Sequence, residues 1–592
     1  MHFYFIKYKW LFISGVFFVI SSNYFGLLPP ILIRNCIDIL KENLLLYQDL
    51  ENSQLQVEYK YFLFKKYILF FALMIILTSI IKGILMFFMR QTLIVMSRKI
   101  EYDQKNQIYK KYQQLNTTFY KRNNTGDLMS RISEDVSRVR MYFGPAIMYS
   151  INLVALFTMV IYTMFSINAY LSIYVLLPLP ILSILIYKVS SIINQKSEQI
   201  SIALSQITTS AQETFSGIRV IQSFAISKQV QTEFADISEV YKQKNIDIAK
   251  TESFFVPLML FLIGISTLMV IFIGGQEVKN GSFTAGNIAE FIYYVNMLTW
   301  PVASLGWAVS LVQRAAASQK RINQFLENDE TIKYPAKDAQ QNVTIEQIKF
   351  ENVSFTYQDT NIQALKNINL TIEKDEKVAI VGKTGSGKST LIELLFRTYD
   401  TTSGNILINK KDIKNIHLPT YRDKITYAPQ DNFLFSDTIE NNIKFSNQAA
   451  SQDDVKFFAK MACVADDIQK FPKQYETIIG ERGVMLSGGQ KQRISIARCL
   501  IKNPEIIILD DCLSAVDANT EKQIIENLDA TVQNKTTIFI THRIFAIMNF
   551  DKIIVLEDGE IMEQGTHQEL LQKRGIYFDM YQIQLYEKEN NN

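Results

Sequence analysis

The sequence predicts a chain of two unlike parts, a six-span α-helical membrane half followed by an α/β half built round a glycine-rich loop between a strand and a helix. Three observations predict it. Long apolar runs crowd the first half of the 592 residues, whereas the second half is richer in Lys, Asp and Gly. A glycine-rich loop running from Gly382 to Thr390 directly follows the apolar run Val378–Val381. A further apolar run, Ile506–Leu509, ends in the carboxylate of Asp510. A chain of this length exceeds one hydrophobic core. The expected division is a helical half over 1–326, a polar linker over 327–344 and the α/β half over 345–585.

A helix needs about 20 apolar residues to cross a bilayer. Six segments meet that requirement, near 10–32, 67–89, 143–165, 170–190, 254–275 and 288–312. Lys7 and Lys9 precede the first as in a signal peptide, but no small-residue cleavage site follows, so an uncleaved span is expected. Spans three and four are joined by Ser166-Ile167-Asn168-Ala169, and spans five and six by a short glycine-rich turn. The links after spans two and four are long, charged and helical in period, so these helices should continue tens of ångströms into water.

Charge orients the spans. The link after span two carries Arg98, Lys99, Lys105, Lys110, Lys111, Lys121, Arg122, Arg131, Arg138 and Arg140, while that between spans three and four has no basic residue. The link between five and six has only Lys279, and that between one and two has Arg34, Lys41, Lys60, Lys65 and Lys66. Basic links stay inside, so both termini and both long links are expected in the cytosol. Lys82 interrupts span two. It lies about 22 Å along the helix from Tyr67, close enough to an interface to snorkel, although a charge at that depth also suggests function.

Composition narrows the classes. A net charge of +3 over this length argues against a nucleic-acid partner, which needs a concentrated basic face. Cys36, Cys463, Cys499 and Cys512 are scattered, with no CxxC pair and no His at metal spacing, so neither a disulfide framework nor a zinc site is expected.

The α/β half carries the chemistry. Gly382, Lys383, Thr384, Gly385, Ser386, Gly387, Lys388, Ser389 and Thr390 form a complete GxxxxGK[ST] loop between a strand and the helical run Leu391–Phe396. Its glycines let backbone N–H groups wrap phosphates, and the helix N-terminus adds partial positive charge. Lys388 reaches the β- and γ-phosphates, and Ser389 offers a hydroxyl to Mg²⁺. Ile506–Asp510 reads as a strand buried on both faces, with Asp510 at the ligand-binding edge to hold Mg²⁺ through water. A third strand, Thr537–Thr541, delivers His542 to the same edge, where it is placed to contact the γ-phosphate.

Between these lies Leu486-Ser487-Gly488-Gly489-Gln490. This LSGGQ run is the signature of ATP-binding cassettes, and from about residue 345 to 580 the sequence resembles a whole cassette. The resemblance implies further roles. Tyr357 resembles the aromatic that stacks on adenine, and Gln430 the glutamine that senses Mg²⁺. Ser514-Ala515-Val516-Asp517 is similar to the loop that crosses the cassette dimer, and Gly480–Gly483, with Glu481, to an exporter segment that touches the coupling helices. The helical half resembles the type IV exporter fold, in which Thr125-Gly126-Asp127-Leu128 and Glu213–Gly217, with Phe215, are similar to the two coupling regions. The same resemblance implies an integral, multi-pass protein of the bacterial plasma membrane with its cassette in the cytoplasm. Two chains would sandwich two ATP molecules, each site completed by the partner's signature, and drive export of a hydrophobic or amphipathic drug-like molecule, lipid or peptide. A lipid flippase, a channel of the same architecture and a regulator are the alternatives.

The sequence departs from that family just after Asp510, where Asp511-Cys512-Leu513 stand in place of Glu, Pro and Thr or a similar residue. Efficient members place Glu after the Walker aspartate, and this chain has Asp511 there, as the general base that orients water. Its carboxylate sits about 1.5 Å further back, and such a misplacement can cost about a hundredfold in rate. The expectation is a slow site, paired in a heterodimer with a second half-transporter bearing Glu. A homodimer stays open, because His542 and Gln430 are retained.

Overall fold

The computed structural model describes residues 2–48, 58–62, 64–328, 332–335, 344–480, 486–531 and 534–590. The chain divides into two compact units, one of Met1–Gln113 and Asn124–Asn328, the other of Gln114–Asn123 and Asp329–Asn592. Most of the expected linker over 327–344 lies outside the described residues.

The first unit is helical. Its long elements are α1 (Lys9–Gln48), α2 (Leu69–Gln114), α3 (Ile147–Ile167), α4 (Pro178–Ser216), α5 (Ser227–Lys279) and α6 (Ala285–Leu326). Among the described residues, four stretches are long and apolar enough to cross a membrane: Lys9–Asn43, Glu58–Gln114, Thr125–Ile167 and Ser227–Lys279. The sixth expected span lies within α6. The fourth is divided, because the short helix Ala169–Leu176 ends before α4 restarts at Pro178. Proline has no N–H to donate to the preceding turn but fits the first position of a new helix. α2, α4 and α5 run well past the apolar stretches, as the helical period of the long links predicts.

Two polar ties hold α1 to α6. Glu290, fully buried, accepts from Arg34 at 3.1 Å and from the Tyr294 hydroxyl at 2.8 Å. Asp38 accepts from the Gly286 N–H at 2.9 Å and the Thr284 hydroxyl at 2.8 Å, capping α6 from a different helix. A Cβ on Gly286 would stand 2.5 Å from the Arg34 carbonyl, so only glycine allows this approach. Val160, Met164, Leu171, Val175, Val270, Phe291 and Leu298 form a small interior between α3, the short helix Ala169–Leu176, α5 and α6. Lys82 is half-buried with its ammonium turned toward Gly26 of α1.

The second unit is built on two sheets. The larger has the order β10-β9-β3-β8-β7-β6, from β3 (Lys377–Val381), β6 (Ile425–Ala428), β7 (Ile506–Asp510), β8 (Thr536–Ile540), β9 (Lys552–Glu557) and β10 (Glu560–Gly565). Five of these strands are parallel, and β10 is antiparallel at the edge. The smaller, antiparallel sheet has the order β2-β1-β4-β5, from β1 (Gln347–Thr356), β2 (Gln363–Glu373), β4 (Ser403–Ile408) and β5 (Lys411–Asp412). Side chains alternate across a strand, and both faces of the larger sheet are covered. Val378, Ile380, Ile506, Ile508, Ile538 and Ile540 face the small sheet and α7 (Lys388–Leu395). Ala379, Val381, Ile507, Leu509 and Phe539 face the core that includes α8 (Gly488–Leu500). Two-sided burial is why these strands read as unbroken apolar runs.

Candidate functional site

The sheet brings the expected chemistry to one edge. Asp510 pairs in register with Ile540, so the ends of β7 and β8 lie side by side, and β3 beside them leads into the phosphate loop. The loop holds its shape through glycine. Gly385 and Gly387 have φ of +85° and +99°, the left-handed region that favours glycine. A Cβ on Gly387 would meet the Ala364 carbonyl at 2.5 Å, whereas the Cβ direction of Gly385 is open space. Gly382 is confined as well, against the Leu556 carbonyl. Ser386 and Thr390 are buried, Thr384 is exposed, and exposed Lys383 pairs with Glu557 at 3.0 Å.

Lys388 opens α7 and folds back onto its own loop, donating to the carbonyls of Gly382 at 2.8 Å and Lys383 at 2.7 Å. Burial pushes its ammonium below the usual lysine range, against the pull of Asp510 and Asp511. Asp510 is almost fully buried, and its Oδ2 accepts from the Ser389 and Tyr427 hydroxyls, both at 3.0 Å. Burial pushes its carboxyl up, opposed by those two hydrogen bonds.

Asp511 stands in the left-handed region at φ +44°, its N–H bonded to the Ile540 carbonyl at 2.8 Å. Its carboxylate is spanned by His542, with Nδ1 3.2 Å from Oδ1, and by Gln430, whose Nε2 lies 3.5 Å from Oδ2. Burial raises this carboxyl too, against the nearby His542 and Arg543. Asp510, Asp511, Gln430, His542, the phosphate loop and Tyr357 line one cavity of about 1050 Å³.

This arrangement fits a magnesium nucleotide. The loop has an open side where Gly385 carries no side chain. A half-dry ammonium is held by two backbone carbonyls and, at 3.4 Å, the Ser386 hydroxyl, and a buried carboxylate accepts from the loop hydroxyl of Ser389. Tyr357, just past β1, is tied by its hydroxyl to Thr390 and Glu393, each at 3.0 Å, which sets the ring at the cavity wall. Burial raises its phenol.

Ser487 caps α8 in a reciprocal box: its Oγ accepts from the Gln490 N–H at 3.2 Å, and Gln490 Oε1 accepts from the Ser487 N–H at 3.0 Å. Leu486 is buried beneath. Gly488 leaves its side toward Ala515 open to ordinary contact, and a Cβ on Gly489 would press the Ala515 carbonyl at 2.8 Å. Gln492 joins the same two segments, donating to the Ser514 hydroxyl and accepting from the Ala515 N–H. Asp517 accepts from the Thr520 N–H at 3.0 Å, at the start of α9 (Ala518–Thr531).

The expected coupling residues lie elsewhere. Gly126 and Asp127 begin the short helix Thr125–Ser130 of the first unit, where Asp127 pairs with Arg131. Phe215 is 75% exposed beside Gly217, which ends α4. Glu481 and its neighbours through 485 lie outside the described residues.

Several contributors escaped the sequence reading. Within the second unit, the helix Thr117–Arg122 places Lys121 5.3 Å from the ring centres of both Tyr357 and Tyr399, and Arg122 pairs with Asp359. Tyr427 and Gln492 carried no motif. The turn Asp558-Gly559 between β9 and β10 braces the phosphate loop, with the Gly559 N–H bonded to the Ser386 carbonyl at 3.2 Å. Asp-Gly between two apolar runs is a hairpin signal the sequence did offer.

Comparison with known proteins agrees with this geometry. A family described as "ABC transporter transmembrane region" matches residues 11–302, and one described as "ABC transporter" matches 365–514. The Escherichia coli multidrug resistance-like ATP-binding protein MdlA is 35% identical over 87% of this chain and 88% of its own. The Bacillus subtilis probable multidrug resistance ABC transporter ATP-binding/permease protein YheI is 37% identical over 79% of this chain and 80% of its own. An ATP-dependent lipid A-core flippase of Syntrophus aciditrophicus is 34% identical over 87% of this chain and 85% of its own. In fold, the chain is similar to a bacterial Atm1-family ABC exporter solved with ATP bound, with a TM-score of 0.78, 23% identity and coverage of 97% of this chain and 98% of that one.

Proposed function

The chain belongs to the ABC transporter family, and on that premise we propose that it is half of a dimeric exporter that uses ATP to move hydrophobic or amphipathic molecules across a membrane. What carries this reading is the constellation of Lys388, Ser389 and Asp510 at one sheet edge, in the same chain as long apolar helices. The membrane would be a bacterial plasma membrane crossed by six spans, with the cassette in the cytoplasm, as the basic links suggest. Relatives named for multidrug resistance favour drug-like substrates. The flippase relative makes lipid movement the second reading.

In this scheme Lys388 and the loop N–H groups bind the phosphates of ATP, and the Tyr357 ring offers a stacking surface for the base. Ser389, Asp510 and Gln430 would hold Mg²⁺, which when bound would neutralise phosphate charge. His542 contacts the terminal phosphate, and Asp511 orients the attacking water. Ser487, Gly488, Gly489 and Gln490 complete the partner's site, and Asp517 lies on the loop between the two sites. Gly126, Asp127, Phe215, Gly217 and Glu481 are the proposed coupling positions.

The short Asp511 makes this chain's own site slow, so a heterodimer with a Glu-bearing half-transporter is favoured over a homodimer. Supporting this, the carboxylate is already engaged by His542 and Gln430 at its present length. Reconstituted vesicles test the export reading: ATP-dependent accumulation from a drug and lipid panel is expected, and a purely passive, ATP-gated current would make the protein a channel. For the slow site, Asp511→Glu should raise ATP turnover of the chain alone. Brisk turnover by the native chain, unchanged in Asp511→Glu, would falsify the asymmetry.

A further inference from the structure

His542 hangs from a loop that is pinned on both sides. On one side Arg543 pairs with Glu521 and donates to the Ser514 carbonyl at 3.2 Å. On the other side lies α10 (Ile576–Asn590), which no motif marked. There the Gln584 amide makes two bonds to the loop: Nε2 donates to the His542 carbonyl, and Oε1 accepts from the Ile544 N–H at 2.8 Å. The two partners demand opposite ends of the amide, which fixes its orientation and needs a side chain with both a donor and an acceptor.

The remaining loop contacts make this clamp decisive. The Thr541 N–H is bonded to the Ile380 carbonyl and the Arg543 N–H to the Thr541 hydroxyl. The imidazole itself is 59% exposed and touches Asp511 at 3.2 Å, so its place in the cavity follows from where its backbone is held. α10 is a firm anchor. Glu563 accepts from the Ile576 and Tyr577 N–H groups at its start, and the Tyr577 hydroxyl meets His567 Nδ1 at 2.7 Å. The Tyr581 ring packs on Phe545 of the same loop, with centres 5.7 Å apart. Met580, Ile583, Gln584 and Glu587 all line the nucleotide cavity.

We infer that Gln584 is a positioning residue that sets His542 toward the terminal phosphate, making α10 part of the device that distinguishes ATP from ADP. The inference rests on the proposed contact between His542 and that phosphate. It is read from the ratio of affinities for the non-hydrolysable AMP-PNP and for ADP, each with Mg²⁺, measured by competition on the purified full chain. Loss of the two positioning hydrogen bonds should lower this ratio about three- to tenfold in Gln584→Ala, with ADP affinity unchanged. Gln584→Glu keeps the acceptor for Ile544 but sets a carboxylate oxygen against the His542 carbonyl, so it should fall with Gln584→Ala. His542→Ala should lower the ratio at least as far. An unchanged ratio in Gln584→Ala with a lowered one in His542→Ala overturns the inference alone. Equal loss of both nucleotides in Gln584→Ala also overturns it, by showing a merely structural role. An unchanged ratio in His542→Ala removes the phosphate contact and this inference with it.

Discussion

In β7, Ile506, Ile507, Ile508 and Leu509 are all buried, whereas in α2 Phe70, Leu73, Ile76, Ile80, Ile84 and Phe87 are all exposed. The residues are of one kind, and their surroundings are opposite. The cassette hides its apolar strands between two layers and leaves a few charges half-dry at the strand ends. The helical unit turns its apolar side chains outward, and its fully buried Glu290 is paired. Exposed apolar surface on this scale marks a contact with something other than water. For helices long enough to cross a bilayer, that surrounding is lipid.

The comparison can be broken most severely in the cassette. Ile508→Ala should destabilise it by about 2–5 kcal/mol, because the cavity left inside a two-sided core collapses poorly. Ile80→Ala empties no core site and should stay within about 0.5 kcal/mol. Thermal unfolding of the purified chain in lipid would show both. Equal costs would erase the distinction between the two surfaces. Next in size is Ile80→Asp, which places a carboxylate on the lipid-facing surface at about 2.5–3.5 kcal/mol by insertion scales. Reduced membrane insertion is expected, and wild-type insertion would mean that this face of α2 meets water.

The half-dry charges sharpen the other side. Lys388→Ala removes the main cation of the phosphate loop and should weaken ATP binding about tenfold or more, by the worth of a charged hydrogen bond. Unchanged nucleotide affinity by calorimetry would count against the loop's role. The smallest effect concerns pH. Burial raises the Asp510 carboxyl, so the folded form binds its proton more tightly than the unfolded chain does. Stability without Mg²⁺ should therefore fall as pH rises from the ordinary carboxylate range through the raised value. Asp510→Asn should lose that slope and gain stability at neutral pH in EDTA, read as a higher Tm. An identical pH profile for variant and wild type would show that Asp510 is not ionised against its surroundings.

Much of this was legible because it is local. Ile506–Asp510 reads from the sequence as the strand the structure contains, and the phosphate loop sits between strand and helix where its glycines require. The break at Pro178 in the fourth span was not read, because an apolar run on both sides hid it. What could not be read is set by packing between distant segments. Asn123-Asn124 separates two short polar helices of similar composition, and only the three-dimensional structure places Thr117–Arg122 with the cassette and Thr125–Ser130 with the helical unit. Gln584 lies 42 residues beyond His542 in a polar C-terminal segment, with no periodic or motif signal to connect them.

The capping box at Ser487 leaves one more consequence. The hydroxyl oxygen lends a lone pair to the Gln490 N–H, but its own proton is not needed for the cap. One atom can therefore keep the helix end closed and still offer a donor to an anion arriving at that end, without first breaking any bond. Asparagine or aspartate could imitate the cap, and alanine neither part. Only a hydroxyl does both with so little bulk beside Gly488 and Gly489, so the shape of this short segment need not change whether or not an anion meets it.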